Sequence, residues 1–347
     1  MKIVVDDKIP YILPALHELA DEVVVKAGCE IGPSDVHDAT LLLVRTRTRC
    51  DSTLLEGSSV RLVVTATIGY DHLDTAWLEA AGIEWHNCPG CNATSVAQYV
   101  RNSLFVLQQE RSLNLSAATL AIIGAGHVGT AVWQSMQQAA SACPLGGMLL
   151  YDPLCEHFPL MGNGHTAWSD WERVLTEADI ITFHTPLTTT GPYPTYHMAD
   201  DTFFRSLKRK PVIINAARGG VVDEAALLRA MDDGLVGDVI IDTWEGEPNI
   251  NPELLRRAFI ATPHIAGYST DGKANATRMT LDSVCSFLKK TMVFKVEDLG
   301  LPALRPRSSD SIECALQLYD PRSDSEKLKK EPSKFEWWRG HYPLRRE

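Results

Sequence analysis

The 347-residue sequence has no apolar run of the roughly 20 residues that a membrane-spanning helix needs. It is short of basic residues: 33 Lys+Arg against 44 Asp+Glu leave a formal charge of −11. That balance argues against nonspecific nucleic-acid binding and against an anionic membrane surface. A small anionic substrate stays open, because a few arginines suffice for a local positive pocket. No basic, apolar leader opens the chain, since Met1-Lys2-Ile3-Val4-Val5 runs straight into Asp6 and Asp7, so a cytoplasmic protein is expected. Internal repeats and low-complexity segments are absent. The 8 cysteines are scattered, which suits reduced thiols rather than a disulfide framework. One C-x-x-C occurs, Cys88-Pro-Gly-Cys91, and no second pair or paired histidines complete a zinc site. It reads as a proline-glycine turn with incidental thiols, and no metal is expected. What remains is ordinary for a globular protein, 45% apolar and 22% charged, with length for two or three domains.

The chain is organised around Thr119 to Gly129, T-L-A-I-I-G-A-G-H-V-G. Leu120 to Ile123 suit a buried strand of a parallel sheet, and Thr130 to Ala140 a helix. Between them Gly124, Gly126 and Gly129 form G-x-G-x-x-G. Gly124 permits a tight turn, Gly126 lets backbone approach a pyrophosphate, and Gly129 lets the helix pack on the strand. The N–H groups and positive dipole end of that helix face the diphosphate. Met148 to Tyr151 read as the next strand, and Asp152 ends it where an acid would accept hydrogen bonds from ribose hydroxyls. Its charge repels a 2′-phosphate. NAD is therefore the expected cofactor.

Strands expected at Lys2–Val5, Val23–Val25, Leu41–Val44 and Leu62–Thr65, with a helix over Pro10–Ala20, make residues 1–93 a first α/β unit. Its strand ends carry Arg45-Thr46-Arg47-Thr48-Arg49 and a second polar segment containing Thr67. Ligands gather beyond such ends in open parallel sheets. A long helix from Asn92 or Thr94 leads into residues 94–268, where strands at 178–184, 211–215, 238–242 and 259–262 continue the alternation. A helix is expected over 269–288. Beyond about residue 290 prolines, clustered charges and Trp337-Trp338 mark an appended module, 289–347.

Arg218, Glu247 and His264 stand just after successive expected strands. Oxidising a 2-hydroxy acid needs a base for the hydroxyl proton, which histidine suits near neutral pH. It also needs a carboxylate to orient that ring and a guanidinium for the substrate's carboxylate or C2 oxygen. Asn215-Ala-Ala-Arg-Gly-Gly-Val-Val-Asp223, Asp242-Thr-Trp-Glu-Gly-Glu-Pro248 and Thr262-Pro-His-Ile-Ala-Gly-Tyr268 resemble signatures of the D-isomer-specific 2-hydroxyacid dehydrogenases. The resemblance implies Arg218 as substrate-orienting arginine, Glu247 as partner carboxylate and His264 as acid/base. It also implies two doubly wound, Rossmann-like parallel-sheet domains, the first binding substrate and completed by helix 269–288, the second binding NAD.

A narrower resemblance is carried by Val44-Arg-Thr46, Thr65 to His72, Pro89 to Ala93, His184-Thr-Pro-Leu187 and Gly191-Pro-Tyr193. The tail adds Tyr319-Asp-Pro-Arg322 and Phe335 to Glu347. These resemble a branch of the family that oxidises a phosphorylated hydroxy acid on the way to pyridoxal 5′-phosphate and has a small C-terminal α+β dimerisation module. A homodimer is thus implied. So are Arg45, Thr46, Thr67 and Tyr268 as substrate residues, Arg45 being the first choice for the phosphate. Gly124, Gly126, His127, Val128, Gly129, Asp152, Thr185, Ala216, Ala217, Arg218, Asp242 and Gly267 are implied as cofactor residues. Gln98 stands where an acid is usual, Thr243 where valine is, and the loop Ser141 to Gly147 looks long. The catalytic trio alone does not separate this reaction from oxidation of phosphoglycerate, glycerate or lactate, or from a non-catalytic NAD(H) sensor on the same fold.

Overall fold

The computed structural model describes residues 1–141, 143–154, 168–291 and 311–347. The chain divides into two compact units, Met1–Asn92 with Ser269–Leu304, and Ala93–Tyr268 with Arg305–Glu347. Residues 292–310, most of the first part of the appended module, lie outside the described residues.

In the first unit β1 (Lys2–Asp6), β2 (Glu22–Lys26), β3 (Leu41–Val44), β4 (Leu62–Thr65) and β5 (Glu84–His86) form a parallel sheet in the order β2-β1-β3-β4-β5. Every residue of β3 and β4 is buried, as a sheet covered on both faces requires. Alternation along the strands divides the apolar side chains between two cores. Ile3, Val5, Leu41 and Leu43 pack with Leu281 and Val284 of the helix Thr270–Leu288, while Val4, Leu42, Val44 and Val63 face the other way. Ser269 caps that helix by accepting from the Gly272 N–H at 2.8 Å. Cys88 is buried and donates to the Ala276 carbonyl at 3.3 Å, and burial pushes its thiol up to about 11. It is a packing thiol that stays protonated. The helix expected from Pro10 begins at Leu13, after the positive-φ residue Tyr11.

The second unit is a six-stranded parallel sheet of β6 (Thr119–Ile123), β7 (Gly147–Tyr151), β8 (Ile180–Phe183), β9 (Val212–Asn215), β10 (Val239–Ile241) and β11 (Ile260–Ala261). Its order, β11-β10-β9-β8-β6-β7, reverses direction at β6 and β8. Such a switch point opens a crevice at the carboxyl ends of those two strands. The helix Ala93–Arg111 buries Tyr99, Val100, Leu104 and Leu107 against Leu120 and Ile122 on one face. Ile123, Ile181 and Phe183 fill the other. The described tail is helical, over Ile312–Leu318, Pro321–Lys330 and Phe335–Gly340. Leu316 and Tyr319 join the first core, Leu328 and Phe335 the second. The loop before β7 has a reason for its glycines: Gly146 donates to the Leu115 and Ala118 carbonyls at 3.0 Å, and a Cβ there would come within 2.6 Å of Ala117 backbone.

Candidate active site

The three glycines after β6 differ in what they are for. Gly124 has φ +95, and a Cβ on it would lie 2.8 Å from the His184 carbonyl oxygen. A Cβ on Gly129 would lie 1.8 Å from the Gly124 carbonyl oxygen. Both are required by the fold itself. Gly126 has an extended backbone that any residue adopts, and no atom lies within 4 Å of where its Cβ would be. Its missing side chain leaves open space at the N-terminus of the helix His127–Gln138, whose first residue is exposed and whose second, Val128, is half-buried. Asp152, just past β7, accepts from the Ala125 N–H at 2.8 Å and the Leu154 N–H at 2.9 Å, which holds its carboxylate beside the turn. An open cradle of N–H groups with a fixed acid at the second strand end fits a dinucleotide with free ribose hydroxyls. Thr185 follows β8, its hydroxyl 3.9 Å from the Met198 sulfur.

After β9, Asn215 closes the turn that carries Ala216, Ala217 and Arg218. Its amide donates to the Arg218 carbonyl at 3.0 Å and its oxygen accepts from the Ala217 N–H at 3.1 Å. A Cβ on the next residue, Gly219, would lie 2.0 Å from the Trp244 carbonyl oxygen, so this loop and the one after β10 meet backbone to backbone. The Trp244 N–H donates to Glu247 Oε1 at 2.9 Å, and its indole N–H to the Thr262 carbonyl at 2.9 Å. Glu247 then bonds His264 Nδ1 through both oxygens, at 2.9 and 3.1 Å. His264 sits at φ +56, sparsely populated by non-glycine residues. The local structure holds it there: its N–H donates to the Asp242 carbonyl at 2.9 Å. The Asp242 carboxylate accepts from the Thr262 hydroxyl at 2.6 Å and from the N–H groups of Ile265 and Ala266 at 2.8 and 2.9 Å. Asp242, expected along the cofactor, thus has its carboxylate committed to bracing the histidine loop. Gly267 and Tyr268 end that loop half-buried.

Burial pushes the Glu247 carboxyl up, but the His264 ring, the Trp244 N–H and the Arg339 guanidinium together hold it below its ordinary value. With Nδ1 donating to that carboxylate, the other ring nitrogen of His264 is the basic one. Behind the loop, Glu224 accepts from the Glu245 N–H at 2.8 Å. Burial, with help from the charges of Glu245 and Glu247, raises Glu224 to about 7.

Of the residues expected to meet substrate, Tyr268 lies with the trio in the second unit. Arg45, Thr46 and Thr67 belong to the first. Arg45 is half-buried and Thr46 exposed. The Thr67 hydroxyl bonds Thr65 at 2.6 Å and donates to the Gly69 carbonyl at 2.8 Å. Further along the run Arg49 pairs with Asp51 at 2.8 Å, and Thr48 is buried with its hydroxyl donating to the Gly28 carbonyl.

Glu224, Arg339 and Arg345 were not singled out by the sequence. Arg345 donates to the carbonyls of Ile265, Ala266 and Ser95, gripping the histidine loop from the tail. Gln98 explains its departure from an acid here. Its oxygen accepts from Arg345 Nε at 2.9 Å while its amide donates to the Arg346 carbonyl at 3.0 Å, a second bond that a carboxylate has no proton to make. The hydroxyl of Thr243 is buried without a partner, and nothing in the structure accounts for it.

The D-isomer specific 2-hydroxyacid dehydrogenase NAD-binding domain matches residues 92–266. Erythronate-4-phosphate dehydrogenase of Bacteroides thetaiotaomicron is 47% identical over 347 residues, covering 100% of this chain and 97% of that protein. The Escherichia coli O127:H6 erythronate-4-phosphate dehydrogenase is 38% identical over 360 residues, covering 100% and 92%. Among solved structures, a Staphylococcus aureus NAD-dependent formate dehydrogenase in complex with NAD superposes with a TM-score of 0.65 at 20% identity, over 84% of this chain and 97% of that one. An Aquifex aeolicus D-lactate dehydrogenase with NAD and lactic acid gives 0.64 at 21%, over 83% and 96%. At those identities the structures speak for the fold. NAD is the cofactor, and the enzyme is an oxidoreductase acting on a CH–OH group. The chain belongs to the D-isomer specific 2-hydroxyacid dehydrogenase family, among its erythronate-4-phosphate dehydrogenases.

Proposed function

We propose that the chain oxidises 4-phospho-D-erythronate with NAD to (R)-3-hydroxy-2-oxo-4-phosphooxybutanoate, a step toward pyridoxal 5′-phosphate. The His264–Glu247 pair carries the reaction type. The full-length likeness to erythronate-4-phosphate dehydrogenases, tail included, carries the substrate. His264 takes the proton of the C2 hydroxyl through the ring nitrogen that Glu247 leaves basic. Glu247 fixes the ring and balances the charge it acquires. Arg218 holds the substrate's carboxylate or C2 oxygen with its planar donors. When bound, NAD supplies the hydride acceptor. The glycine turn, Asp152, Thr185 and the Ala216–Arg218 turn would hold it. Arg45, Thr46, Thr67 and Tyr268 contact the rest of the substrate. The protein works in the cytoplasm as a homodimer assembled through residues 289–347. Among the described residues no helix is long and apolar enough to cross a membrane.

The deciding assay is NADH appearance with 4-phosphoerythronate beside phosphoglycerate, glycerate and lactate. A marked preference for the first is expected. Equal or better turnover of an unphosphorylated acid would replace the substrate, and binding of NADH without turnover of any would leave a sensor. Sedimentation of the full chain and of a chain ending at residue 289 tests the assembly, with dimer expected for the first alone.

A further inference from the structure

The tail's arginines are spent in different ways. Arg322 is paired with Asp320 at 2.6 Å and Glu110 at 2.8 Å. Arg345 is occupied by backbone carbonyls and lies over the Tyr319 ring at 4.0 Å. Arg339 reaches the trio instead. The short helix Phe335–Gly340 is anchored by Phe335, which is 1% exposed in the core that it shares with Leu328 and Trp244. From there Arg339 Nε donates to the Tyr268 hydroxyl at 3.2 Å. Its Nη1 lies 3.6 Å from Glu247 Oε2, the oxygen that bonds His264 at 2.9 Å. The side chain is 20% exposed, so solvent screens this charge only in part.

We infer that Arg339 is a positioning residue of the active site, through which the C-terminal module completes the site by holding Glu247 ionised and fixing the Tyr268 hydroxyl. The inference rests on the reading that His264 and Glu247 are the acid/base pair. A neutral Glu247 would orient the ring without balancing its charge. Burial opposes the ionised form of Glu247, His264, the Trp244 N–H and Arg339 favour it, and Glu224 is the nearby carboxyl on which its charge acts. On its other sides Arg339 faces Tyr268, Asp242 and Glu336.

The test uses the full-length enzyme with Arg339→Met and Arg339→Lys, after thermal unfolding and NADH binding have verified folding. For the methionine variant kcat is expected to fall roughly tenfold or more, as for loss of a charged hydrogen-bond donor, with the KM for NAD unchanged. The acidic limb of its kcat profile should move to higher pH, because without the guanidinium's charge the coupled Glu247–His264 pair takes up a proton more easily. Lysine should recover part of kcat by restoring the charge without the bond to Tyr268. Wild-type kcat and an unmoved acidic limb in the methionine variant overturn the inference. If that variant does not fold, the lysine variant decides, and wild-type kcat there overturns the role of the guanidinium. A carbon NMR titration of the Glu247 carboxyl in the absence of substrate keeps the two readings apart. Should the wild type not turn over 4-phosphoerythronate, the substrate assignment fails, while an upward shift of that carboxyl in Arg339→Met still supports the arginine. An unshifted carboxyl overturns it.

Discussion

Beyond the strand ends of the first sheet, Arg45 is half-buried and Thr46 exposed, each in an irregular turn. Beyond those of the second, Glu247 bonds His264 at 2.9 and 3.1 Å, while Asp242 holds the same loop through the His264 N–H, Thr262, Ile265 and Ala266 at 2.6 to 2.9 Å. The two sheets share a parallel design and the same burial of β3 and β9 on both faces. What differs is how far the chain satisfies its own polar groups. In the second unit the fold fixes the reacting geometry before any ligand arrives, which is what acid/base chemistry gains most from. In the first unit the Thr67 hydroxyl is likewise spent, on Thr65 and the Gly69 carbonyl, so the contrast rests on Arg45 and Thr46, the residues proposed to meet the substrate.

The sharpest way to break this contrast is to remove the residue that everything in the second unit braces. His264→Ala should lower kcat by on the order of a hundredfold or more while leaving NADH binding intact, measured by steady-state kinetics beside fluorescence titration. Turnover at the wild-type rate would mean that another base acts and that the bracing serves stability alone.

Next in size is what the dense packing of polar groups costs the second unit. Glu224 is 6% exposed and raised to about 7 from 4.5 by burial first and neighbouring carboxylates second. A carboxyl whose folded pKa is raised contributes stability that is present below its unfolded value and lost as pH rises through the folded value. The loss therefore develops between about 4.5 and about 7. Glu224→Gln keeps an acceptor for the Glu245 N–H and cannot ionise. At about pH 8 it should be more stable than the wild type by on the order of 2 kcal/mol, and near pH 5 by much less. Melting curves of both proteins at the two pH values check this; a gap independent of pH would show that Glu224 ionises freely in the fold.

How much of this could be read from the sequence follows the same divide. Period and punctuation are local, so the glycine turn, Asp152, the order of Arg218, Glu247 and His264 and every strand but β5 were readable; β5, Glu84-Trp85-His86, has no apolar run to mark it. The ends of elements are less readable, as at Leu13, where the positive φ of Tyr11 delays the helix that the pattern from Pro10 predicts. The bracing was not readable. That Asp242 holds three donors, that Glu224 lies under the Glu245 backbone, and that Arg339 and Arg345 reach the histidine loop from about 70 to 80 residues away are facts of tertiary packing, with no spacing to announce them. Gln98 was visible as a departure, but its meaning waited for Arg345.

The glycine turn sharpens the comparison because it mixes both kinds of position. Gly129→Ala meets backbone at 1.8 Å and should unfold or distort the turn. Gly126→Ala meets nothing within 4 Å and has an ordinary φ, so its melting temperature should match the wild type. Its methyl group would occupy the space left for the pyrophosphate, and NADH affinity should fall roughly ten- to hundredfold. Unchanged affinity would move the diphosphate away from Gly126.

The smallest expected effect lies in the first unit and asks whether its loosely held groups do wait for the ligand. Arg45 has no ion-pair partner among the described residues, whereas Arg49 in the same run is paired with Asp51. The neighbours that act on Arg45 are mixed: Asp6 attracts it, and Lys273 repels it strongly enough, after burial, to help lower that lysine to about 8. Two cations near each other in a half-buried place raise the local positive potential, which favours binding of a further anion. A phosphate dianion is such an anion, and a guanidinium fork matches it. Arg45→Ala should therefore raise KM for 4-phosphoerythronate by about five- to tenfold while sparing unphosphorylated erythronate, with kcat little changed. The competing account is that Arg45 steadies the turn through Asp6. In that case both substrates lose equally and the melting temperature drops, which would return the first unit's arginine run to a structural role and leave the phosphate to other donors.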